Sequence, residues 1–171
     1  RAWLAQIRRA RDVEDQIYRG GAIFFSRPFS RFRRFEFGAE TAVIDERVLR
    51  YNYSLGEISE LTGGGSSFYV APYVAMVADN ALYGSTGPIN GGRSRYSVEH
   101  ALGEITYTTG LLDWRRYTNI NHRFALAQRV IAGASVGRDP QLFRVGGPYT
   151  FRGVDYGDLI GTRLLVANLE F

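Results

Sequence analysis

Residues 123–137 read RFALAQRVIAGASVG and alternate for fifteen positions without a breaker. Phe124, Leu126, Val130, Ala132, Ala134 and Val136 share one parity, with Gln128 the exception. Arg123, Arg129, Gly133 and Ser135 hold the other. A period of two belongs to a β-strand, whose successive side chains point to opposite faces. Strands of soluble sheets run to ~5–6 residues. A strand that crosses a bilayer takes ~9–11 tilted residues, apolar outward and polar inward. The length and the sorting of this segment therefore favour a membrane-crossing strand.

The same texture recurs. In 30–50, Phe35, Phe37, Ala39, Thr41, Val43 and Asp45 alternate with Arg34, Glu36, Gly38 and Glu40. In 66–78, Phe68, Val70, Pro72, Val74 and Met76 alternate with Tyr69, Ala71, Tyr73, Ala75 and Val77. Pro72 lacks a backbone donor and is expected at a bulge if the strand is central. Segments 92–109 and 112–121 continue the pattern. The last strand, 161–171, puts Leu165, Ala167, Leu169 and Phe171 against Asn168 and Glu170. Loops rich in Gly, Ser, Asn and Pro at 61–67, 84–93 and 137–150 separate these runs. Residues 1–20 stand apart as a polar, helix-like or loop lead-in, with Leu4, Ile7, Arg8 and Arg11 at helical spacing and Gly20-Gly21 as a stop. A strand with a long polar turn fits that stretch nearly as well.

Charge on the second face decides the class of β protein. Arg and Glu in a soluble core are costly, whereas a hydrated or loop-plugged barrel lumen accommodates them. The expected fold is all-β, an antiparallel transmembrane β-barrel over 21–171. Of 171 residues, 24 are aromatic, as the two interfacial girdles of such a barrel require. All 21 basic residues are Arg and Lys is absent. They are spread along the chain, which points to bidentate ion pairs rather than a nucleic-acid partner. Cys is absent, which excludes a thiolate metal site, and with His100 and His122 as the only His a His-rich site is not expected. His100 adjoins Glu99, but no positioned nucleophile accompanies them. Asp12, Glu14 and Asp15 lack the spacing of a calcium loop. Gly63-Gly64-Gly65-Ser66-Ser67 cannot be a phosphate loop without Lys. The expectation is a non-enzyme with no metal and no cofactor.

Residues 146–154 read Gly-Gly-Pro-Tyr-Thr-Phe-Arg-Gly-Val, between the strand ending at 137 and the strand ending Asn-Leu-Glu-Phe. Gly146 and Gly147 permit positive φ, Pro148 stiffens the approach, and Gly153 is expected to let the backbone lie close against a wall. Motif and flanking strands resemble the C-terminal barrel of the outer-membrane assembly and secretion family, the BamA/TamA-type surface-antigen barrels. That family carries G-G-x-x-x-(V/L)-R-G-(F/Y) in a long loop folded into the lumen. Gly146, Gly147, Arg152 and Gly153 match. Phe151 stands at the position before the Arg, and Val154 replaces the aromatic that would pack beside it. Asp113-Trp114-Arg115-Arg116-Tyr117 and Arg123-Phe124-Ala125-Leu126-Ala127 resemble the strands leading into the loop. Ala78-Asp79-Asn80 resembles a strand end before an extracellular loop.

The resemblance implies a sixteen-stranded barrel with a reentrant lumen loop at about 138–160; at ~10 residues per strand plus turns, 171 residues supply about eight strands or slightly more. It implies Glu170 as the lumen salt-bridge partner of Arg152, since Glu170 has lumen parity on the following strand. Asp155 and Asp158 are weaker candidates, local to the loop. It further implies the outer membrane of a Gram-negative-type bacterium, outer-membrane lipid as surroundings, and client polypeptides or neighbouring outer-membrane proteins as partners. The implied function is insertion or secretion of polypeptides across that membrane. The alternatives are a small passive pore or structural subunit, and a barrel anchoring an upstream enzyme. Arg1-Ala2-Trp3 reads as the interior of a longer chain, and the terminal Phe171 resembles a barrel-assembly signal.

Overall fold

The computed structural model describes residues 12–52, 57–62, 65–85, 87–121, 124–148 and 150–171, without side chains at 12–16, 46–52, 57–62 and 121. The long alternating runs become strands β1 (Asp12–Ser30), β2 (Arg33–Asn52), β4 (Ser66–Asp79), β6 (Pro88–Gly103), β7 (Tyr107–Asn121), β8 (Phe124–Gly137) and β11 (Arg163–Glu170). Shorter pieces are β3 (Glu57–Thr62), β5 (Leu82–Tyr83), β9 (Phe143–Val145) and β10 (Leu159–Gly161). The long strands form one antiparallel sheet in the order β1-β2-β4-β6-β7-β8-β11, with β3 on β2 and β5 on β6. Among the described residues β1 and β11 are its edges and do not pair with each other.

The register keeps each parity on one face. Phe37, Val74, Val98, Gly110 and Ala134 form one cross-strand row, and Glu36, Ala75, Ser97, Leu111 and Gly133 form the neighbouring row on the opposite face. The first face is apolar and open: Leu165 and Leu169 are 77% and 72% exposed, and Phe25, Phe37, Val74 and Val98 are exposed too. Phe25 stacks on Phe37 at 5.6 Å. The second face is polar at its rim and tightly packed between. Ala71, Ala75 and Val77 are 1% exposed. Both buried clusters sit on this face: Ala42, Tyr69, Ala71, Ala101 and Tyr107 in one, Ile131, Val145 and Val166 in the other.

Antiparallel order sends the connections 31–32, 80–87 and 122–123 to one end and 53–65, 104–106 and 138–162 to the other. At the second end the strands start progressively lower. Ser66 opens β4 level with Asp45 of β2, whereas Arg163 opens β11 on a row that traces back to Phe37. This drift means that the strands are tilted to the line joining their ends.

Several expectations change. The lead-in 1–20 is not helical where it is described: residues 12–20 are strand, paired from Asp12↔Arg50 to Gly20↔Ala42, while 1–11 lie outside the described residues. The partner strand overrides a weak helical pattern, and Gly20 is a close-approach site rather than a cap, since a Cβ there would stand 2.5 Å from the Thr41 carbonyl oxygen. The break expected near Gly110 lies instead at 104–106, next to Gly103 with φ +134°, so 107–121 is one strand. Pro72 causes no bulge. The β4–β6 register is the same on both sides of it, and the β2 side stays fully paired. Among the described residues the sheet has nine strands, seven of them on the main path, and the longest run to 19 and 20 residues. The Ala78-Asp79 strand end and the 138–162 connection lie at opposite ends, so both cannot be extracellular.

Gly38 of β2 lies beneath the ring of Tyr73, whose Cε1 is 3.0 Å from where a Cβ would stand, and that Cβ would meet the Ile23 oxygen at 2.2 Å. Gly38→Ala is expected to lower unfolding free energy by about 1–3 kcal/mol. Gly110→Ala, with nothing within 4 Å, is expected to stay neutral or gain about 0.5 kcal/mol. Denaturant midpoints of the two variants check the contrast.

Candidate functional site: the polar face and the segment that crosses it

Side chains on the polar face are joined across strands by ion pairs and hydrogen bonds. Toward the end with the short turns, Glu36 of β2 takes Arg34 at 2.8 Å and also Arg95 of β6. Asp113 of β7 accepts from Arg115 at 3.0 and 2.6 Å, and from Arg129 of β8 at 3.3 and 3.0 Å. Arg115 and Arg129 are direct cross-strand neighbours. Like charges in that position repel, and the shared carboxylate two residues along β7 is what lets them stand together. Toward the opposite end the face changes chemistry. Tyr18 donates to Glu40 and shares a 2.5 Å contact with the Tyr69 hydroxyl. Tyr107 donates to Glu99 at 2.9 Å, and its ring lies 6.4 Å from that of Tyr69.

The segment between β8 and β11 lies over this face. It leaves the sheet past Asp139, whose carboxylate holds Arg138 and accepts the Thr106 N–H at 3.2 Å; both keep its pKa below the usual carboxylate value. The Gln141 N–H then reaches the Ser135 hydroxyl at 2.8 Å. Ser135 is itself buried and accepts from Thr109 at 2.8 Å. Phe143 packs at Gly133, where a Cβ would meet its ring at 2.9 Å. Val145 is buried with Ile131 and Val166. The Thr150 carbonyl accepts from the Asn168 amide at 3.0 Å. Arg152 ends the run on Glu170 at 2.8 Å. These contacts descend the polar parity of β8 and β11 step by step, over about 25 Å at ~3.3 Å per residue.

The motif glycines divide into two kinds. Gly146 has φ +137°, and a Cβ there would stand 1.9 Å from the Asp155 oxygen. Its N–H and C=O both bind the Thr150 hydroxyl, at 2.9 and 2.6 Å. Gly147 has φ +81° and donates to the Val154 oxygen at 2.8 Å. Gly153 was expected to lie close against a wall, yet nothing stands within 4 Å of its Cβ position; its need for glycine is the φ of +90° alone. Asp155 and Asp158 form a local turn, with the Asp158 N–H 3.2 Å from the Asp155 oxygen. Pro148, Arg152, Asn168 and Glu170 line a cleft of about 390 Å³ with Arg115 and Arg129. The Arg152–Glu170 pair is well exposed, at 74% and 55% of the two side chains, so it contributes ~1 kcal/mol at most. It marks the end of the crossing segment. The buried steps at Phe143 and Val145 hold the segment more strongly.

Sequence reasoning passed over Ser135, Phe143, Val145, Thr150, Asn168 and the tyrosine–glutamate network. Gly133, alone among bulkier neighbours on the polar parity, was the readable signal: glycine inside a strand marks close approach by another group. Glu99 and His100 adjoin in sequence but sit on opposite faces; His100 Nδ1 is 2.8 Å from Thr108 Oγ1. His122 lies outside the described residues.

Gly146→Ala forces a Cβ into the Asp155 carbonyl and should release the segment, so protease cleavage within 138–160 is expected to rise about tenfold or more. Gly153→Ala, costing only its φ strain of about 1–2 kcal/mol, should leave cleavage at 138–145 near the native rate. Asp113→Ala should lower the unfolding free energy by about 1–3 kcal/mol by leaving Arg115 opposite Arg129. A further Arg129→Ala change should recover part of that loss in the denaturant midpoint.

No protein-family model matches the chain and no curated protein matches it, so the functional argument rests on the chemistry of these two faces.

Proposed function

We propose that this chain forms part of an outer-membrane β-barrel of the assembly and secretion family, and that it takes part in inserting or translocating polypeptides. The observation that carries this reading is the division between the two faces. An apolar face this extended, open across seven strands, is far beyond what a soluble monomer leaves to water. Lipid is the cover that such a face fits. The opposite face carries Arg–carboxylate pairs and a segment laid along the strands, as a hydrated and partly plugged lumen would. Strand lengths and stagger support a tilted barrel wall. On this reading 138–162 is the reentrant loop, its end is extracellular, and the turn at 31–32 faces the periplasm together with the ends of β7 and β8 at Asn121 and Phe124. The 80–87 connection after Ala78-Asp79-Asn80 is then periplasmic, and the sixteen-strand count is the part that the resemblance supplies.

In this mechanism the loop braces the wall from inside. Arg152 fixes its tip at Glu170, while Phe143 and Val145 fix its middle. A braced wall keeps its shape while client strands are threaded or inserted elsewhere in the barrel.

The test uses the full-length protein in cells. Arg152→Ala is expected to lower the abundance of client outer-membrane proteins about two- to fivefold, the scale of one exposed ion pair. The exchange of Arg152→Glu with Glu170→Arg is expected to restore much of it. Normal abundance and normal client assembly in Arg152→Ala would remove the mechanism and leave a passive pore or structural subunit. Separately, Val74→Arg is expected to cost about 2–4 kcal/mol of insertion into vesicles. The check is co-sedimentation with phosphatidylcholine vesicles.

A further inference from the structure

At the end of the sheet that holds the short turns, the apolar face carries a cleft of about 710 Å³. Its floor is made of small residues on neighbouring strands: Ala78 of β4, and Gly92 and Ser94 of β6. Phe29 and Phe32 stand on one side and Trp114 of β7 on the other. Arg33 and Arg116 flank it from β2 and β7, both exposed on the apolar face. The stem of Arg116 lies along Gly92, its Cδ 3.6 Å from where a Cβ would stand. Phe29 packs on Phe35 at 5.1 Å, and Phe124 stacks on Phe171 at 5.3 Å, so an aromatic row continues along this end.

The charges are the unusual part. Arg33 and Arg116 have no acidic partner among the described residues, whereas Arg34, Arg93, Arg95 and Arg115 at this end are paired. Arg27 and Arg31 are without an acidic partner among the described residues as well, but neither lines the cleft, and Arg31 lies over the Phe32 ring at 5.7 Å. Asp79, the acid at the cleft, is held by Arg93 at 3.7 Å and by the Ala81 N–H at 3.3 Å. Arg115 is committed to Asp113 on the other face. Two unpaired guanidinium groups therefore frame an aromatic-walled, small-floored cleft that opens directly onto the apolar face at Met76 and Tyr96.

We propose that this cleft binds an anionic phospholipid, its headgroup phosphate between Arg33 and Arg116 and its acyl chains along the apolar face. The inference rests on the membrane reading above. Guanidinium matches phosphate geometry with paired donors. Aromatic rings with basic residues at one rim mark the headgroup level. On that reading this rim faces the periplasmic side, so the lipid comes from the inner leaflet.

The experiment reconstitutes the full-length protein into vesicles of phosphatidylcholine and phosphatidylglycerol in equal parts, with bromine on the chains of one lipid or the other. Bromine quenches tryptophan on contact, and the Trp114 contribution is isolated by subtracting a Trp114→Phe variant. The expected result is preferential quenching by brominated phosphatidylglycerol, on the scale of about fivefold per arginine. Arg33→Gln with Arg116→Gln should bring the two lipids to equal quenching, while Arg33→Lys with Arg116→Lys should keep most of the preference and show that the surface is intact. Equal quenching of the inserted native protein, or a preference that survives the glutamine pair, would overturn the headgroup site and leave the barrel reading standing. A preference abolished by soluble inorganic phosphate would mean a free-phosphate site and also overturn it. Failure to insert into either vesicle would sink the membrane reading, and this inference with it.

Discussion

A β-strand shows every second side chain to each face, so a seven-strand sheet must satisfy two surfaces at once. Here each surface has its own solution. The polar face is closed by its own residues: alanines and valines pack between the charges, and Asp113 neutralises an otherwise repulsive Arg115–Arg129 pair across β7 and β8. Remove that carboxylate and two adjacent strands carry facing positive charges. Among the described residues no protein layer covers the apolar face. The crossing segment, the edge strands and the aromatic rim all take their places from this unequal pair of faces.

The crossing segment illustrates why ion pairs draw attention beyond their energy. Arg152 and Glu170 are easily recognised, yet both are largely exposed, and such pairs stabilise little. Val145, buried against Ile131 and Val166, removes apolar surface from water and contributes on the order of 2 kcal/mol. Hydrogen bonds from Gln141 and to Thr150 set the height of the segment on the sheet. The ion pair supplies direction at the end of a run whose position is already fixed.

Much of the fold was legible from residue parity. Arg34, Glu36 and Arg129 fall on the face where their alternation put them, and so do Phe35, Phe37 and Val130. Glu170 could be paired with Arg152 because parity and the family resemblance pointed the same way. The failures have one physical source. Residues 12–20, the turn at 104–106 and Pro72 are each settled by a neighbouring strand that local sequence does not contain. Gly153 was misread for a related reason: a glycine says that a side chain is unwelcome, but not whether crowding or φ forbids it. The Tyr18–Glu40 and Tyr107–Glu99 contacts join residues whose nearness depends on register across several strands.

The exclusive use of arginine follows from the same two faces. On the polar face a cation must bridge strands and satisfy a carboxylate with more than one donor, as Arg115 and Arg129 do at Asp113. A lysine ammonium is a compact point charge and cannot present that planar fork. At the rim of the apolar face the need is different but the geometry similar. Arg116 lays its aliphatic stem along Gly92 and lines the same cleft as Trp114. A long apolar stem with a forked cation at its tip suits a boundary between hydrocarbon and anionic headgroups. One residue type thus serves both the interior pairs and the edge of the apolar surface. A basic excess of +4 spread along the chain is what that division of labour leaves in the composition.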